Sequence, residues 1–298
     1  NPTLENLIKG QFNKLRQDEP LAYQLLCRLG CYRYQDVPLV PKEGIFYLLW
    51  DVTEERRKRV VKALRDRFLI KFSNQEFYLH PVIRAEAISR LRASSDWKVS
   101  NYKAAAFWNN SVSSIESIND AIQAFESSHH YLAIKDYEQA CQVILTERDN
   151  NSGKFETLSR SFYRVGLLNQ MIISLNNIID CDDVDNKTVG TELYNELGSF
   201  YWLQGEVHEA INLFSKGRKL ALTFNNKQYN LISILNISLC KIDILELEEA
   251  LELLYEYKDL AESQNYDGLV KVSYFCLAMV NSCLGFKEKA LYFAEKVY

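Results

Sequence analysis

The sequence predicts a mainly α-helical protein, in which a small domain of helices and one β-hairpin precedes a long array of helical hairpins. Two observations support this fold class. Proline and glycine, which interrupt helices, account for only 5 and 11 of the 298 residues. The C-terminal half also has an internal period of 40 residues, which is typical of stacked structural repeats. The hydrophobic content of 47% is enough for a packed core.

The 40-residue period is seen at four positions of the repeat. The matched residues are Ala210, Ala250 and Ala290; Gly205, Leu245 and Gly285; Leu197, Ile237 and Leu277; and Phe214, Leu254 and Ala294. Because all four sets keep one spacing, the pattern favours an α-solenoid of stacked hairpins over a generic helical bundle.

The clearest repeat shows how each hairpin is built. Tyr194 and Leu197 lie on one stripe of a first helix. Gly205 can adopt the positive φ that ends this helix. Gly198 and Ala210 are small, as two closely crossing helices require. This pattern resembles the tetratricopeptide repeat (TPR), and the resemblance implies a TPR-like α-solenoid, a right-handed superhelix of helical hairpins.

Weaker copies precede the clear repeat, around 121–140 and 162–175, with a loop at 148–153 between them. About five hairpins are therefore expected within a repeat array at 96–298. The first helix of each hairpin should line the concave face, where a partner protein or peptide would bind. In the clearest repeat this nominates Asn195, Ser199 and Trp202, and in the next repeat the matched residues Leu235, Leu239 and Ile242. For Trp202, packing between repeats is the alternative interpretation.

The N-terminal domain, residues 1–95, has a different pattern. Helices are expected at 21–29, 43–50 and 53–68, two strands of a β-wing at 69–72 and 76–80, and a closing helix at 82–91. Three helices, a wing and a closing helix make a winged-helix-like domain. On the third helix, Val60, Leu64 and Phe68 form the expected core face.

Charge is distributed unevenly along the chain. Residues 51–92 contain eleven Lys and Arg against six Asp and Glu, whereas residues 93–298 contain eighteen against twenty-eight. Lys58, Lys62 and Arg65 follow one another at helical spacing on the side opposite the core. This basic face could contact nucleic-acid phosphates or an acidic neighbouring domain, or remain solvated. The third helix offers few polar side chains for base edges, which disfavours nucleic acid.

The segment that ends the wing, Phe77 to Arg84, resembles the end of the winged-helix domain in STAND-type (NB-ARC) ATPases. In that family a Met-His-Asp motif follows the wing; here Leu79, His80 and Pro81 occupy the three positions. The resemblance implies the C-terminal part of a bacterial, cyanobacterial-like STAND protein. It further implies that His80 senses the nucleotide state and that residues 1–17 are the last helix of an upstream ATPase region. ATP or ADP would then be a cofactor of the full-length protein and not of this segment.

The motifs that carry common chemistries are absent from the sequence. There is no Walker A, G-x-S-x-G or H-E-x-x-H pattern, so we expect no enzymatic activity from this segment. Adjacent His129 and His130 point about 100° apart on a helix and cannot share a metal. The acidic residues Asp180, Asp182, Asp183 and Asp185 lack the pattern of a calcium loop. No catalytic residue and no metal ligand is therefore predicted.

The sequence also predicts a cytoplasmic location without membrane contact. No apolar run approaches the ~20 residues that span a bilayer, and no signal peptide is recognisable. Seven scattered cysteines without a C-x-x-C pair indicate buried thiols in a reducing compartment.

Three functions remain open at this point. The first is the regulatory and protein-interaction half of a STAND-type signalling ATPase, with an intramolecular nucleotide-binding domain as a further partner. The second is a stand-alone TPR scaffold or adaptor. The third is a winged-helix transcriptional regulator that binds DNA.

Overall fold

The computed structural model describes residues 2–150, 152–180 and 188–297 of the chain. The fold is mainly α-helical with TPR-like hairpins, which confirms the predicted fold class. The structure divides into two compact units, Asn1–Leu167 and Leu168–Tyr298. Among the described helices, none combines the length and apolar character that crossing a lipid bilayer requires.

The first unit contains nine helices and five short strands within its described residues. The helices are α1 (Pro2–Asp18), α2 (Pro20–Leu29), α3 (Lys42–Tyr47), α4 (Glu54–Asp66), α5 (Pro81–Arg92), α6 (Asp96–Ser111), α7 (Ile118–Ala133), α8 (Tyr137–Leu145) and α9 (Leu158–Arg164). The strands are β1 (Val40–Pro41), β2 (Lys71–Ser73), β3 (Glu76–Tyr78), β4 (Glu147–Asp149) and β5 (Phe155–Thr157).

The wing is a three-stranded antiparallel sheet with strand order β1-β3-β2. The pair formed by β2 and β3 occurs where the sequence predicts it, with Phe72 opposite Phe77. The third strand, β1, was not predicted because it is only two residues long and contains Pro41. The loop predicted at 148–153 also begins inside β4, which pairs with β5.

Tyr32 lies at the centre of the core of the first unit. Its ring packs edge-on against Phe77, Phe107 and Trp108, and its hydroxyl donates to the carbonyl oxygen of Gly44 at 2.9 Å. Since Phe107 and Trp108 belong to α6, this helix shares one core with the wing. A division into domains at residue 95 stays a prediction.

Arg28 is a buried cation that joins three parts of the first unit. Its guanidinium donates to both carboxylate oxygens of Asp51, at 2.6 and 2.7 Å, and to Asp96 at 2.8 Å. The ring of Trp50 covers its face at 3.8 Å. The arginine therefore ties α2 to the turn before α4 and to the start of α6.

Phe68 differs from its prediction. Val60 and Leu64 are buried as expected, but Phe68 is 89% exposed. The helix α4 ends at Asp66, and Phe68 adopts a φ of 55°. Its N–H donates to the carbonyl of Arg65 and the next N–H to that of Leu64, the pattern of a Schellman C-cap. This reversal of the chain turns the side chain away from the core.

The second unit consists of helices only, within its described residues. They are α10 (Leu168–Ile179), α11 (Thr188–Leu203), α12 (Val207–Thr223), α13 (Lys227–Asp243), α14 (Leu247–Ser263), α15 (Asp267–Cys283) and α16 (Lys287–Lys296). The last six form three hairpins that follow the 40-residue period. The hairpin predicted around 162–175 has its two helices, α9 and α10, in different units.

The helices of the first of these hairpins cross at Gly198. A Cβ atom at this position would lie 2.8 Å from the ring of Phe214, and Ala210 is fully buried. The predicted need for small residues at the crossing is confirmed by this contact. At the matched positions, the later hairpins have Ser238 with Leu254 and Ala278 with Ala294. Both later hairpins thus have a larger residue than Gly198 on the first helix and a smaller one than Phe214 on the second.

Replacement of Arg28 by Met should lower the free energy of unfolding by about 3 kcal/mol, because two carboxylates lose their buried partner. Arg59→Met is the control, since Arg59 is exposed and 3.9 Å from Glu19. Urea unfolding followed by tryptophan fluorescence measures both. Hydrogen bonds from Arg28 lower the pKa of Asp51. The contribution of the Arg28–Asp51 pair to the free energy of unfolding is therefore complete above about pH 3.9, the ordinary pKa of Asp. It is lost as the pH falls through the lower pKa that Asp51 has in the folded state. Equal effects of the two variants would contradict this role.

Replacement of Leu245 by Gly should stabilise the protein by about 0.5–1 kcal/mol. Leu245 ends α13 with a φ of 62°, where the matched residues Gly205 and Gly285 have 85° and 81°. A left-handed conformation costs a side chain about 1–2 kcal/mol, part of which the larger unfolded-state entropy of glycine offsets. Leu245 is 77% exposed, so little packing is lost. Leu291→Gly, at an exposed position inside α16, should instead destabilise in the same unfolding measurement.

Candidate functional site

The first helices of the three hairpins carry matched residues on one face. One position is occupied by Asn195, Leu235 and Phe275, and the next along the helix by Ser199, Leu239 and Met279. The exposed fraction at the first position increases along the array, from 4% for Asn195 to 61% for Phe275. The burial of Asn195 has a structural cause, because α13 covers α11.

Asn195 lies inside this contact. Its Nδ2 donates to the carbonyl oxygen of Thr191 at 2.8 Å and to Oγ of Ser233 at 3.0 Å. Ser233 belongs to α13, so the amide holds two first helices together. The sequence places Asn195 on a partner-binding surface, but its burial removes the side chain from any such surface.

Ser199 and Trp202 are half-buried. The hydroxyl of Ser199 donates to the backbone of Asn195 within the same helix. The indole N–H of Trp202 donates to Asp243 at 2.6 Å, and its ring packs against a cluster that includes Ile237 and Cys240. Trp202 therefore packs between hairpins, as its alternative interpretation expects, and keeps part of its ring accessible. A role in partner binding stays a prediction for both residues.

The most exposed apolar side chain on this face is Phe275 of α15. Val272 beside it is also exposed, and Met279 is half-buried one turn further on. Leu239 and Ile242 of α13 are half-buried and pack against a cluster of buried residues from α14, α15 and α16. We call these five residues the first-helix strip. Leu239 and Ile242 follow from the sequence, at the 40-residue offset from Ser199 and Trp202. Val272, Phe275 and Met279 were missed, although the same offset applied twice to Asn195 leads directly to Phe275.

The chemistry of the first-helix strip is apolar. An exposed aromatic residue among half-buried aliphatic neighbours is a surface that gains free energy when another apolar group covers it. No Lys or Arg belongs to the strip. Its composition therefore suits an apolar segment of a partner better than a terminal carboxylate.

His80 occupies the N-cap position of α5 and is exposed. Its Nδ1 accepts a hydrogen bond from the N–H of Val82 at 3.4 Å, because Pro81 begins the helix and leaves the next N–H groups without helical partners. The ring is thus fixed at the end of the wing with one edge in solvent. Its role in nucleotide sensing stays a prediction.

The predicted basic face is formed in the first unit. Lys58, Lys62 and Arg65 line one groove beside α4. Lys62 pairs with Asp66 at the next helical turn, and the guanidinium of Arg65 lies 5.2 Å from the ring of Phe72.

One cluster of potential cation ligands was not predicted. Asp36, Glu126 and His129 place ligand atoms within 4.8 Å of one another. Arg33 donates to both carboxylates, at 2.9 Å each, so a guanidinium already pairs with them. Burial raises the pKa of Glu126 to about 7 and lowers that of His129 to about 4. We interpret the cluster as a partly buried ion-pair network around Arg33.

His130 points away from this cluster. It is buried, with Nδ1 3.1 Å from Oδ1 of Asn101, and burial lowers its pKa to about 3. The adjacent histidines thus face different surroundings, as their helical spacing predicts.

The cysteines largely follow their prediction. Cys27, Cys31, Cys141, Cys240 and Cys276 are buried free thiols. Cys283 differs, because it lies at the exposed end of α15. Cys181 and the acidic residues Asp182, Asp183 and Asp185 lie outside the described residues.

No protein-family model and no curated protein matches the chain. Solved structures match it at low identity. Aspartyl phosphate phosphatase F from Bacillus subtilis is 14% identical, with a TM-score of 0.49; the match covers 99% of this chain and 68% of that one. A STAND protein with a tetratricopeptide repeat sensor from Pyrococcus horikoshii is 13% identical, with a TM-score of 0.44, over 96% of this chain and 56% of that one.

A third solved structure is a putative kinesin light chain with nearly identical TPR-like repeats, from Podospora anserina. It is 16% identical, with a TM-score of 0.46, over 70% of this chain and 93% of that one. At such identities and TM-scores these likenesses carry no functional argument. The functional proposal therefore depends on the chain's own residues.

Proposed function

We propose that this chain is a non-catalytic protein-interaction module that binds an apolar segment of a partner protein along the first-helix strip. The observation that carries the proposal is the run of accessible apolar side chains on two successive first helices. Leu239, Ile242 and Met279 are half-buried, and Phe275 beside Met279 is exposed. The partner would be a protein or peptide with two or three large apolar side chains.

Two physical arguments support this occupant. Large aromatic side chains with accessible faces contribute most of the binding free energy in many protein interfaces. The strip also lies on packed helices, so little conformational entropy is lost when a partner binds. The sequence contains none of the common catalytic motifs that would favour an enzymatic role instead.

The side chains of the strip differ in accessibility, since those of α13 are half-buried and Phe275 is exposed. A helix or an extended strand with apolar residues on one side would contact both kinds of side chain. Trp202, at the other end of the array, has its indole N–H committed to Asp243 and would contribute only the accessible part of its ring.

A displayed library of short random peptides, selected on the purified chain, tests the proposal. We expect enriched peptides with several apolar residues, and a roughly tenfold or larger loss of affinity when Phe275 is replaced by Asp. Fluorescence polarisation with one enriched peptide gives the dissociation constants.

Leu222→Asp is the matched control for this experiment. Leu222 is 60% exposed on α12, a second helix, and so lies off the strip. Its replacement should leave the affinity within about twofold of the wild-type value, which corresponds to less than ~0.5 kcal/mol. Equal losses in both variants, or no enrichment above background, would refute binding at the strip.

We further propose that the module is the regulatory half of a cytoplasmic STAND-type signalling ATPase. The resemblance around His80 supports this proposal, and so does the exposed position of the imidazole at the start of α5. The imidazole would contact the phosphate of ADP or ATP bound by an upstream nucleotide-binding domain. Partner binding at the strip would shift the equilibrium between closed and open states, which requires different affinities for the two states.

Replacement of His80 by Ala in the natural full-length polypeptide should accelerate ADP release, because one phosphate contact is lost. A stopped-flow measurement with a fluorescent ADP analogue checks the rate. His208→Ala, an exposed histidine on α12, is the control and should leave the rate unchanged. Unchanged release from the His80 variant would exclude the sensor role, and a natural polypeptide that binds no nucleotide would favour a stand-alone TPR scaffold. Either result leaves peptide binding at the strip untouched.

A further inference from the structure

A second surface, in the first unit, combines a groove with a mainly basic rim, in which Asp66 is the acidic member. The groove has a volume of about 840 Å³ and lies between α3, α4 and the start of β2. Its apolar lining consists of Ile45, Phe46, Val61, Phe68 and Phe72. We call it the α3–α4 groove. It is distinct from the first-helix strip, which belongs to the other unit.

The rim of the α3–α4 groove is basic. Lys58, Lys62 and Arg65 follow α4 at positions i, i+4 and i+7, so their row is about 10 Å long at 1.5 Å per residue. Lys42 lines the groove from α3. Within the part of the chain that the structure describes, only Lys62 of these four has a carboxylate partner, Asp66. The rim therefore keeps a net positive charge that solvent alone balances.

The position of Phe68 in this groove lowers the stability of the folded unit. It is 89% exposed, and it holds a positive φ at a C-cap position where Gly or Asn is usual. Burial of an aromatic ring and a relaxed backbone would both stabilise the unit more. An exposed, strained aromatic side chain is consistent with a contact that lies outside the chain.

We infer that the α3–α4 groove binds an acidic amphipathic helix of a partner protein. Large apolar residues on one side of that helix would cover Val61, Phe68 and Phe72. Asp or Glu residues on its edge, at the same i, i+4, i+7 spacing, would pair with Lys58, Lys62 and Arg65. The basic rim beside an apolar lining complements an occupant that is acidic along one edge and apolar on the adjacent side, as an amphipathic helix can be.

Other anionic occupants fit the geometry less well. A single head group would need the cations gathered at one point, whereas here they are spread along α4. Duplex DNA would meet Glu54 and Glu55 in the first turn of α4, and a helix that enters the major groove places its N-terminal residues against the base edges. The apolar lining would also contact no phosphate.

Binding of a designed helical peptide to the full 298-residue chain tests the inference. The probe is a fluorescein-labelled peptide of about 16 residues, long enough to form a helix in water. It has Leu along one side and Glu at i, i+4 and i+7 along the adjacent edge. A second peptide carries Gln in place of each Glu. We expect fluorescence polarisation to show saturable binding of the Glu peptide that weakens with salt, and at least roughly tenfold weaker binding of the Gln peptide.

Two variants and two matched controls locate the site. Phe68→Asn removes the ring but suits the positive φ, so the unit should remain folded. Lys58→Glu reverses one rim charge. Each should weaken binding of the Glu peptide about tenfold or more. Phe155→Asn, which changes a 68% exposed ring on β5, and Lys9→Glu on the exposed side of α1 should have little effect.

The inference fails if the Glu peptide does not bind, or if controls and groove variants weaken binding equally. It also fails if a fluorescent oligothymidylate or a fluorescent fatty acid binds more tightly than the Glu peptide and is released by Phe68→Asn. Those two results would assign the α3–α4 groove to single-stranded nucleic acid or to lipid, respectively.

Discussion

The second unit depends on one constraint: a pair of helices has more apolar surface than the pair can bury by itself. Each hairpin must therefore be covered by the next. Asn195 shows the consequence, because its amide is buried only where α13 lies over α11. The same position on α15 is Phe275, which remains open. The first-helix strip thus lies on the same face of the first helices as the contact between α11 and α13.

The first unit differs from the second, because it buries polar groups together with their hydrogen-bond partners. Arg28 is held by Asp51 and Asp96, and the hydroxyl of Tyr32 by a backbone carbonyl. These contacts set the positions of α2, α4 and α6, and so place α4 beside α3 with the basic side of α4 outward. The α3–α4 groove exists because the core holds only one face of α4.

Repeated hairpins and features set by neighbouring residues could be predicted from the sequence. The period of 40 residues led to the hairpins of α11 to α16, and Gly198 was assigned to the helix crossing because a small residue has one mechanical use there. Contacts between distant residues were not predictable, since Arg33 and Glu126 are 93 residues apart and no pattern links them. Phe68 was misplaced because the helical period was continued past the point where the chain reverses.

Glu126 gives the first unit an unusual proton linkage. Burial raises its pKa to about 7 even though Arg33 is 2.9 Å away, so the folded unit takes up a proton that the unfolded chain, with an ordinary pKa of about 4.3, releases. Folding is then favoured by mild acid and opposed as the solution approaches neutrality. A carboxylate paired at the surface has the reverse dependence. Mildly acidic solution weakens many folded proteins, but it is the condition in which the burial of this carboxyl group destabilises the unit least.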